Sequence, residues 1–480
     1  MDMKIPGVAG GKNCLRLKGP LLLLALLAAQ GCALRPHPDL TALYRDWAEQ
    51  KTDRPPLIGI HGMMGAMIVD PKSGLALWGR TKDLLSTTAD LRLALPVEPG
   101  ESTDLAPAGS IKQVAGVEVY AGIVRTLTQE GGYTQAPSTG PAPAAPFFPF
   151  SYDWRQSCAS NAARLAAFID DSEKRSGGPS GKVDIVSHSM GGLVAKYFIL
   201  YGGRNVLGER SPVPDYAGAA RVRKLVMLGT PNLGGVSALL SLLEGSRVGL
   251  AGFPPDLLAT MPSMYELLPS PSAPVLYTPD GKPAPLDIYD AATWERQNWG
   301  IFDPAKRKGI IRRYLALHKG AGKEQGAAYL KALQARFGEL LAQGKAFHQA
   351  IEAAPLPASV GTLLLGGDCL PTLKALVVEQ RHGRWVVRRG PGEVAQKVKG
   401  VDLRRLFYGP GDGDVTKASL LAEAPAGGSC AAPAGPPYTL SGFVCEKHRD
   451  LVKNWTFRDN LLNFLLYRPP PAPAACGAEK

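Results

Sequence analysis

The chain has 480 residues, 45% of them hydrophobic and 20% charged, which excludes a disordered chain and leaves room for one large catalytic domain with insertions, or two domains. The formal net charge is +12, yet no run of lysines and no aromatic-interleaved basic patch points to nucleic acid. The 42 prolines and 55 glycines indicate many loops rather than general disorder.

Residues 1–31 read as an export signal. Lys4, Lys12, Arg16 and Lys18 form a basic start, Leu21 to Leu27 an apolar run, and "AAQGC" closes it with small residues before Cys32. This resembles a bacterial lipoprotein signal, which implies a mature chain that begins at a lipidated Cys32 and is held at a membrane, the outer one by the residue that follows, Ala33. An ordinary cleaved signal or a short membrane anchor is the alternative. Loss of residues 1–31 removes four basic residues and Asp2, leaving +9, a charge suited to anionic lipid or polysaccharide or to a solvated face with no specific partner. Five cysteines then remain besides Cys32, and of these Cys430 and Cys445, flanking a loop rich in Gly, Pro and Ala, are the expected disulfide.

A linker at 32–54 leads into a core expected at 55–235. Leu57 to Ile60 in "PPLIGIHGMMG" reads as a short buried strand running into a glycine-bounded loop. The proline-rich "APSTGPAPAAPFFPF", 136–150, reads as a surface loop that delivers the chain to "SYDWRQS". In "VDIVSHSMGGLVAKYF", Val183, Ile185 and Val186 read as a buried strand, and Leu193, Val194, Tyr197 and Phe198 recur at helical spacing. Between them lies Ser187-His188-Ser189-Met190-Gly191, the pattern of a strand-to-helix turn that exposes a serine, with Ser187 at the place of the usual first glycine. Further apolar runs follow at 224–235, at 360–369 and, more weakly, in "DLRRLF". Strands alternating with helices predict an α/β fold with a mostly parallel sheet covered on both faces. At 236–359 the strand signal lapses, and helical stretches such as Ala328 to His348 predict a cap or lid insertion, or an independent second domain. The core resumes over 360–467, and 468–480 reads as a frayed tail.

A serine hydroxyl needs an imidazole to take its proton, and the imidazole needs an acid to fix its tautomer. Of the seven histidines, His37, His61 and His188 precede Ser189, His318 and His348 lie on helical stretches of the insertion, and His382 sits in a charged turn. His448, opening a C-terminal amphipathic helix, is the expected base, a capping or salt-bridging role being the plain alternative. For the acid, "GPGDGDVTKASL" offers Asp412 in a glycine-rich turn, with Asp414 and Asp368 as alternatives; the string lacks the length and closing glutamate of a calcium loop. An oxyanion hole needs backbone N–H donors, expected from Met190 and from Met63 in "HGMMG". No cofactor or metal is called for.

The set "IHGMMG", "YDWR", "SHSMGGLVAKYF", "LGTPNLGG", "MPSMYELLPS", "GDGDVTKASL" and "HRDL" resembles the lecithin:cholesterol acyltransferase and phospholipid:diacylglycerol acyltransferase family of α/β-hydrolase lipases, in order from about Pro55 to Tyr467. The resemblance implies an α/β-hydrolase fold, with Ser189, Asp412 and His448 as nucleophile, acid and base and Met63 and Met190 as oxyanion donors. It also implies structural roles for Asp153, Trp154 and Arg155, a Trp-bearing loop near the substrate entrance at Leu75 to Arg80, and a lipase, esterase or O-acyltransferase acting on acyl lipids. An inactive lipid-binding lipoprotein and a thioesterase or peptidase on the same scaffold are the rival readings.

Overall fold

The computed structural model describes residues 38–51, 54–97, 103–111, 113–114, 117–118, 120–177, 181–423 and 439–467. The export signal, Cys32, Cys430 and the C-terminal tail lie outside the described residues. The chain divides into two units, Met1–Leu43, whose described part is the short helix Leu40–Leu43, and Tyr44–Lys480, which holds everything that follows.

The larger unit is built on seven parallel strands: β1 (Leu57–Ile60), β2 (Thr134–Gln135), β3 (Pro146–Phe150), β4 (Val183–His188), β5 (Val222–Leu228), β6 (Gly361–Gly367) and β7 (Thr439–Val444). Their order across the sheet is β7-β6-β5-β4-β1-β3-β2, every pairing parallel. The central strands are mostly apolar because helices cover both faces. In β4 all residues but the last are buried. Its one buried charge, Asp184, is met by Arg223, which a register shift in β5 between Val222 and Lys224 turns toward it.

Two helices flank the serine strand. Ser157 caps α1 (Cys158–Ser176) by accepting from the Ala159 N–H, and Gly177 ends it at φ 56°. The helix α2 (Met190–Tyr201) follows β4 at once and is buried along its whole length, so its sequence is apolar all round rather than amphipathic.

The chain leaves the sheet after β5 and returns at β6. The excursion holds α3 (Val236–Glu244), α4 (Pro304–Leu317) and the 30-residue α5 (Lys323–Glu352), longer at both ends than the helical stretch read from sequence. It is seated on the core by buried polar contacts as well as apolar ones. Tyr201 donates to Ala350 O (2.9 Å), Tyr197 stacks on Phe347, and the buried Glu266 carboxylate accepts from Ser157 Oγ (2.5 Å) and the Cys158 N–H (2.6 Å) at the start of α1.

Four features depart from the sequence reading. The stretch read as a linker carries a helix, Arg45–Glu49, and the adjoining Tyr44 is buried, donating to Asp459 Oδ1. "DLRRLF" is a helix, Leu403–Phe407, because Asp402 caps it by accepting from the Arg405 N–H. A hairpin, Leu376–Arg381 with Arg384–Arg388, turns at His382 (φ 49°) and pairs with Leu276–Tyr277 of the excursion, so the layer outside the sheet draws on residues beyond 359. Strand β7, which follows a Gly, Pro and Ala-rich stretch, is an edge strand beyond those expected from sequence.

Candidate active site

Ser189 stands at the junction of β4 and α2 with φ 53° and ψ −128°, a conformation that costs a residue bearing a Cβ roughly 1–3 kcal/mol and that surrounding contacts must hold. Its N–H donates to Leu228 O at 2.7 Å, tying the bend to the end of β5. A Cβ on Gly191 would lie 2.4 Å from His61 O, and one on Gly192 would lie 2.0 Å from Thr230 Oγ1, so both positions need glycine. Ser187 fits where the pattern more often has glycine because it is buried and its hydroxyl donates to Val226 O at 2.8 Å. The Ser189 hydroxyl, half-buried, makes no hydrogen bond among the described residues.

His448 and Asp412 meet. The His448 Nδ1–H donates to Asp412 Oδ2 at 2.8 Å, and the His448 N–H donates to Asp412 O at 2.9 Å, so ring and main chain are both fixed on the acid. The other carboxylate oxygen, Oδ1, accepts from the N–H groups of Asp414 (3.0 Å) and Val415 (2.7 Å). Burial works against ionising Asp412, but its hydrogen bond and charge interaction with His448 and these two N–H groups outweigh it and lower its pKa. Burial likewise opposes the imidazolium of His448, and the hydrogen bond to Asp412 with the charges of Asp412 and Asp414 raises its pKa above the ordinary value. With Nδ1 donating to the acid, Nε2 is left as the free acceptor.

Gly229 brings this pair to the serine bend. It follows Leu228, which accepts from Ser189, and at φ 56° it presents no Cβ where one would lie 2.8 Å from His448 Cε1. The His448 ring lies 4.9 Å from that of His188, the residue before Ser189.

The loop after β1 closes the third side. A Cβ on Gly62 would lie 2.8 Å from the Ser189 Cβ, so only glycine allows this approach. The Gly62 carbonyl accepts from His61 Nδ1–H (2.8 Å) and the Gly65 N–H (3.1 Å), while the Gly62 N–H donates to Tyr120 Oη (2.8 Å). Neither the Met63 nor the Met190 N–H has an acceptor among the described residues, Met190 because it is the first residue of α2. His61 is braced in turn: it stacks on Tyr152 at 4.1 Å, and its Nε2 accepts from the Tyr152 N–H. Burial pushes its pKa down to about 4.

"YDWR" supports this loop from beneath. Arg155, fully buried, holds Asp153 through Nε (2.9 Å) and Nη2 (2.7 Å), and Trp154 Nε1 donates to Ala66 O. Trp78, from the stretch expected near an entrance, is buried in the strand Ala76–Trp78. It packs edge-on against Trp154 and Phe253, and its Nε1 donates to Met64 O at 3.0 Å.

The remaining candidates go elsewhere. Asp368 pairs with Lys417 at 3.1 Å, and Asp414 supplies an N–H to Asp412. His318 stacks on Tyr314, and His348 is buried beside Glu352. The disulfide joins Cys369 to Cys445, not Cys430 to Cys445, because the parallel pairing of β6 with β7 sets the ends of those strands side by side. Residues that sequence reasoning passed over include Tyr120 and Cys369. Tyr120 carried no motif, whereas Cys369, one residue past an apolar strand, was open to reading. An apolar cavity of about 330 Å³ adjoins the acid turn, with Asp414 and Thr416 in its wall beside Leu233, Val236 and Val275; neither Ser189 nor His448 lines it. Among the described residues no group of His, Cys, Asp or Glu is placed to hold a metal ion, and no helix is long and apolar enough to cross a membrane.

Residues 111–282 match the lecithin:cholesterol acyltransferase family. "YDWR", the serine bend, "LGTPNLGG" and "MPSMYELLPS" lie within that match, and the resemblance read from them holds there; "IHGMMG", "GDGDVTKASL" and "HRDL" lie outside it. The fold is that of the α/β-hydrolases. The chain is similar to a solved structure of a Tle4–Tli4 complex, with a TM-score of 0.52 and 16% identity over 86% of this chain and 99% of that one. Mature lipase BlEst2 of Bacillus licheniformis (TM-score 0.32, 12% identity, 87% of this chain and 94% of that one) and lipase 1 of Pelosinus fermentans (TM-score 0.34, 10% identity, 87% and 100%) are more distant. No curated protein matches the chain. The match to that family over residues 111–282 supports an enzyme that works on esters.

Proposed function

We propose that the chain is a membrane-anchored serine lipase, esterase or O-acyltransferase that cleaves acyl esters of lipids through an acyl-serine intermediate. The observation that carries this reading is the His448–Asp412 pair lying against Gly229 and His188, at the corner where the Ser189 N–H is bound. The Ser189 oxygen attacks the ester carbonyl carbon while its proton passes to His448 Nε2. The N–H groups of Met63 and Met190 stabilise the oxyanion. When the carbonyl re-forms, the bond to the alcohol oxygen breaks and His448 returns the proton to that oxygen. Water or a second alcohol then gives its proton to His448 and attacks the acyl carbon, and as the carbonyl re-forms the bond to Ser189 Oγ breaks and His448 returns the proton to that oxygen. The export signal and lipidation at Cys32 would hold the enzyme at a bilayer, in the outer membrane, where acyl lipids lie.

Fluorophosphonate labelling and hydrolysis of p-nitrophenyl esters test the reading together. The parent protein labels at Ser189, and Ser189→Ala loses the label and at least about 10⁴-fold in kcat. Retained esterase activity in that variant rejects Ser189 as nucleophile, and a parent protein that neither labels nor hydrolyses favours an inactive lipid-binding lipoprotein.

A further inference from the structure

We infer that Tyr120 and His188 are positioning residues, a hydrogen-bonded strut that holds the Met63 N–H and the His448 loop in register around Ser189. The inference rests on the reading of the site proposed above.

Tyr120 is buried at the end of the segment before the helix Ala121–Arg125. Its phenol oxygen accepts from the Gly62 N–H at 2.8 Å and lies 3.0 Å from His188 Nδ1. The Gly62 N–H can only donate, which leaves the phenol proton available to His188 Nδ1, and the strut assigns it there. That assignment puts the His188 proton on Nε2, and the His448 ring lies 4.9 Å from the His188 ring. Burial, and then the neighbouring His448 charge, press the His188 pKa down to about 3, so the ring stays neutral and keeps Nδ1 as an acceptor. The chain of contacts thus runs from the loop after β1, through Tyr120 and the residue before Ser189, to the loop that carries the base.

Planarity of the peptide makes this matter at the reacting centre. The Gly62 carbonyl is held by His61 Nδ1–H and the Gly65 N–H, and no peptide bond among the described residues is cis. The Met63 N–H shares that peptide plane and points opposite to the Gly62 oxygen, so whatever fixes Gly62 on both sides also fixes the direction of the Met63 N–H. The His61 and Gly65 bonds hold the carbonyl side, and the Tyr120 bond holds the nitrogen side.

Tyr120→Phe keeps the ring and removes the hydroxyl. With a short-chain p-nitrophenyl ester, kcat is expected to fall about 10-fold to 100-fold, the scale of a small misplacement of reacting groups, with KM unchanged. Fluorophosphonate labelling of Ser189 should slow in parallel. His188→Leu gives a similar loss, His188→Asn restores most of the rate because its amide oxygen replaces Nδ1 as acceptor, and Tyr120→Phe with His188→Leu is no worse than either alone. A kcat for Tyr120→Phe within twofold of the parent overturns the strut, as does a rise in KM alone, a His188→Asn variant no better than His188→Leu, or losses that multiply in the double variant. Labelling of the parent at Ser189 tests the underlying reading separately, so failure of the strut and failure of the site are distinguishable.

Discussion

Replacing both halves of the disulfide, Cys369→Ser with Cys445→Ser, separates two consequences of one bond. The cysteines are 76 residues apart, and closing a loop of that length restricts the unfolded chain by about 4–5 kcal/mol. A chain of this size unfolds with an entropy of roughly 1 kcal/mol per degree, so the melting midpoint is expected to drop by about 5 °C. Both cysteines are exposed, so reduction of the folded parent by a dithiol should reproduce the drop. The bond also lies close to the reacting groups. Cys445 precedes His448 by three residues, and a Cβ on Gly367 would lie 2.7 Å from Glu446 O and 2.8 Å from the Asp412 Cβ, so the strand end, the acid turn and the base loop are packed with no slack. At temperatures well below the midpoint, kcat for a short ester is therefore expected to fall several-fold as the base loop loosens, toward the roughly 100-fold that a 1 Å misplacement costs. Thermal unfolding followed by circular dichroism, together with initial rates at 25 °C, reads both effects. A midpoint within about 1 °C of the parent refutes the loop-entropy argument, and an unchanged kcat refutes the claim that the bond holds the base.

The pH dependence of turnover tests the acid. A base works only when neutral, and Asp412 raises the His448 pKa, so kcat should rise with pH through an inflection above 6.5. Asp412→Asn should lower kcat by about 10⁴ and move that inflection down, and full activity in this variant would pass the role to Asp414 or Asp368. The neutral histidines His61, buried, and His188, half-buried, with pKa values lowered to about 4 and about 3, predict acid lability. Below pH 6.5 the unfolded chain takes up two protons that the folded chain refuses, so their stabilising contribution is whole above that pH and falls on acidification by roughly 2.7 kcal/mol per unit until about pH 4. Denaturant midpoints across that range measure the slope, and His188→Asn should remove about half of this contribution; an unchanged slope would mean that His188 protonates in the folded state.

Much of the site was legible as local chemistry. "VDIVSHSMGG" combines an apolar strand, a helix that follows and small residues at the bend between them, signals that act over a few residues, whereas the contacts of Gly191 with His61 and of Gly192 with Thr230 join distant parts of the chain. "GPGDGDV" was legible because a carboxylate projecting from a tight turn needs the glycines beside it, and His448 by its place before the last helix. "DLRRLF", with two arginines and three apolar residues, suits a strand or a helix, and its first residue, Asp402, decides for the helix by capping it.

What sequence determined by itself, then, was the kind of element and the kind of chemistry at each point, since strand, turn, cap and nucleophile are set by neighbours along the chain. Which cysteine meets Cys445, how the Asp412–His448 pair reaches Gly229, and that Tyr120 joins Gly62 to His188 were decided only in the tertiary structure. The physical reason is that these contacts depend on the order of strands across a sheet, and that order is set by the summed packing of the whole core rather than by any stretch of residues.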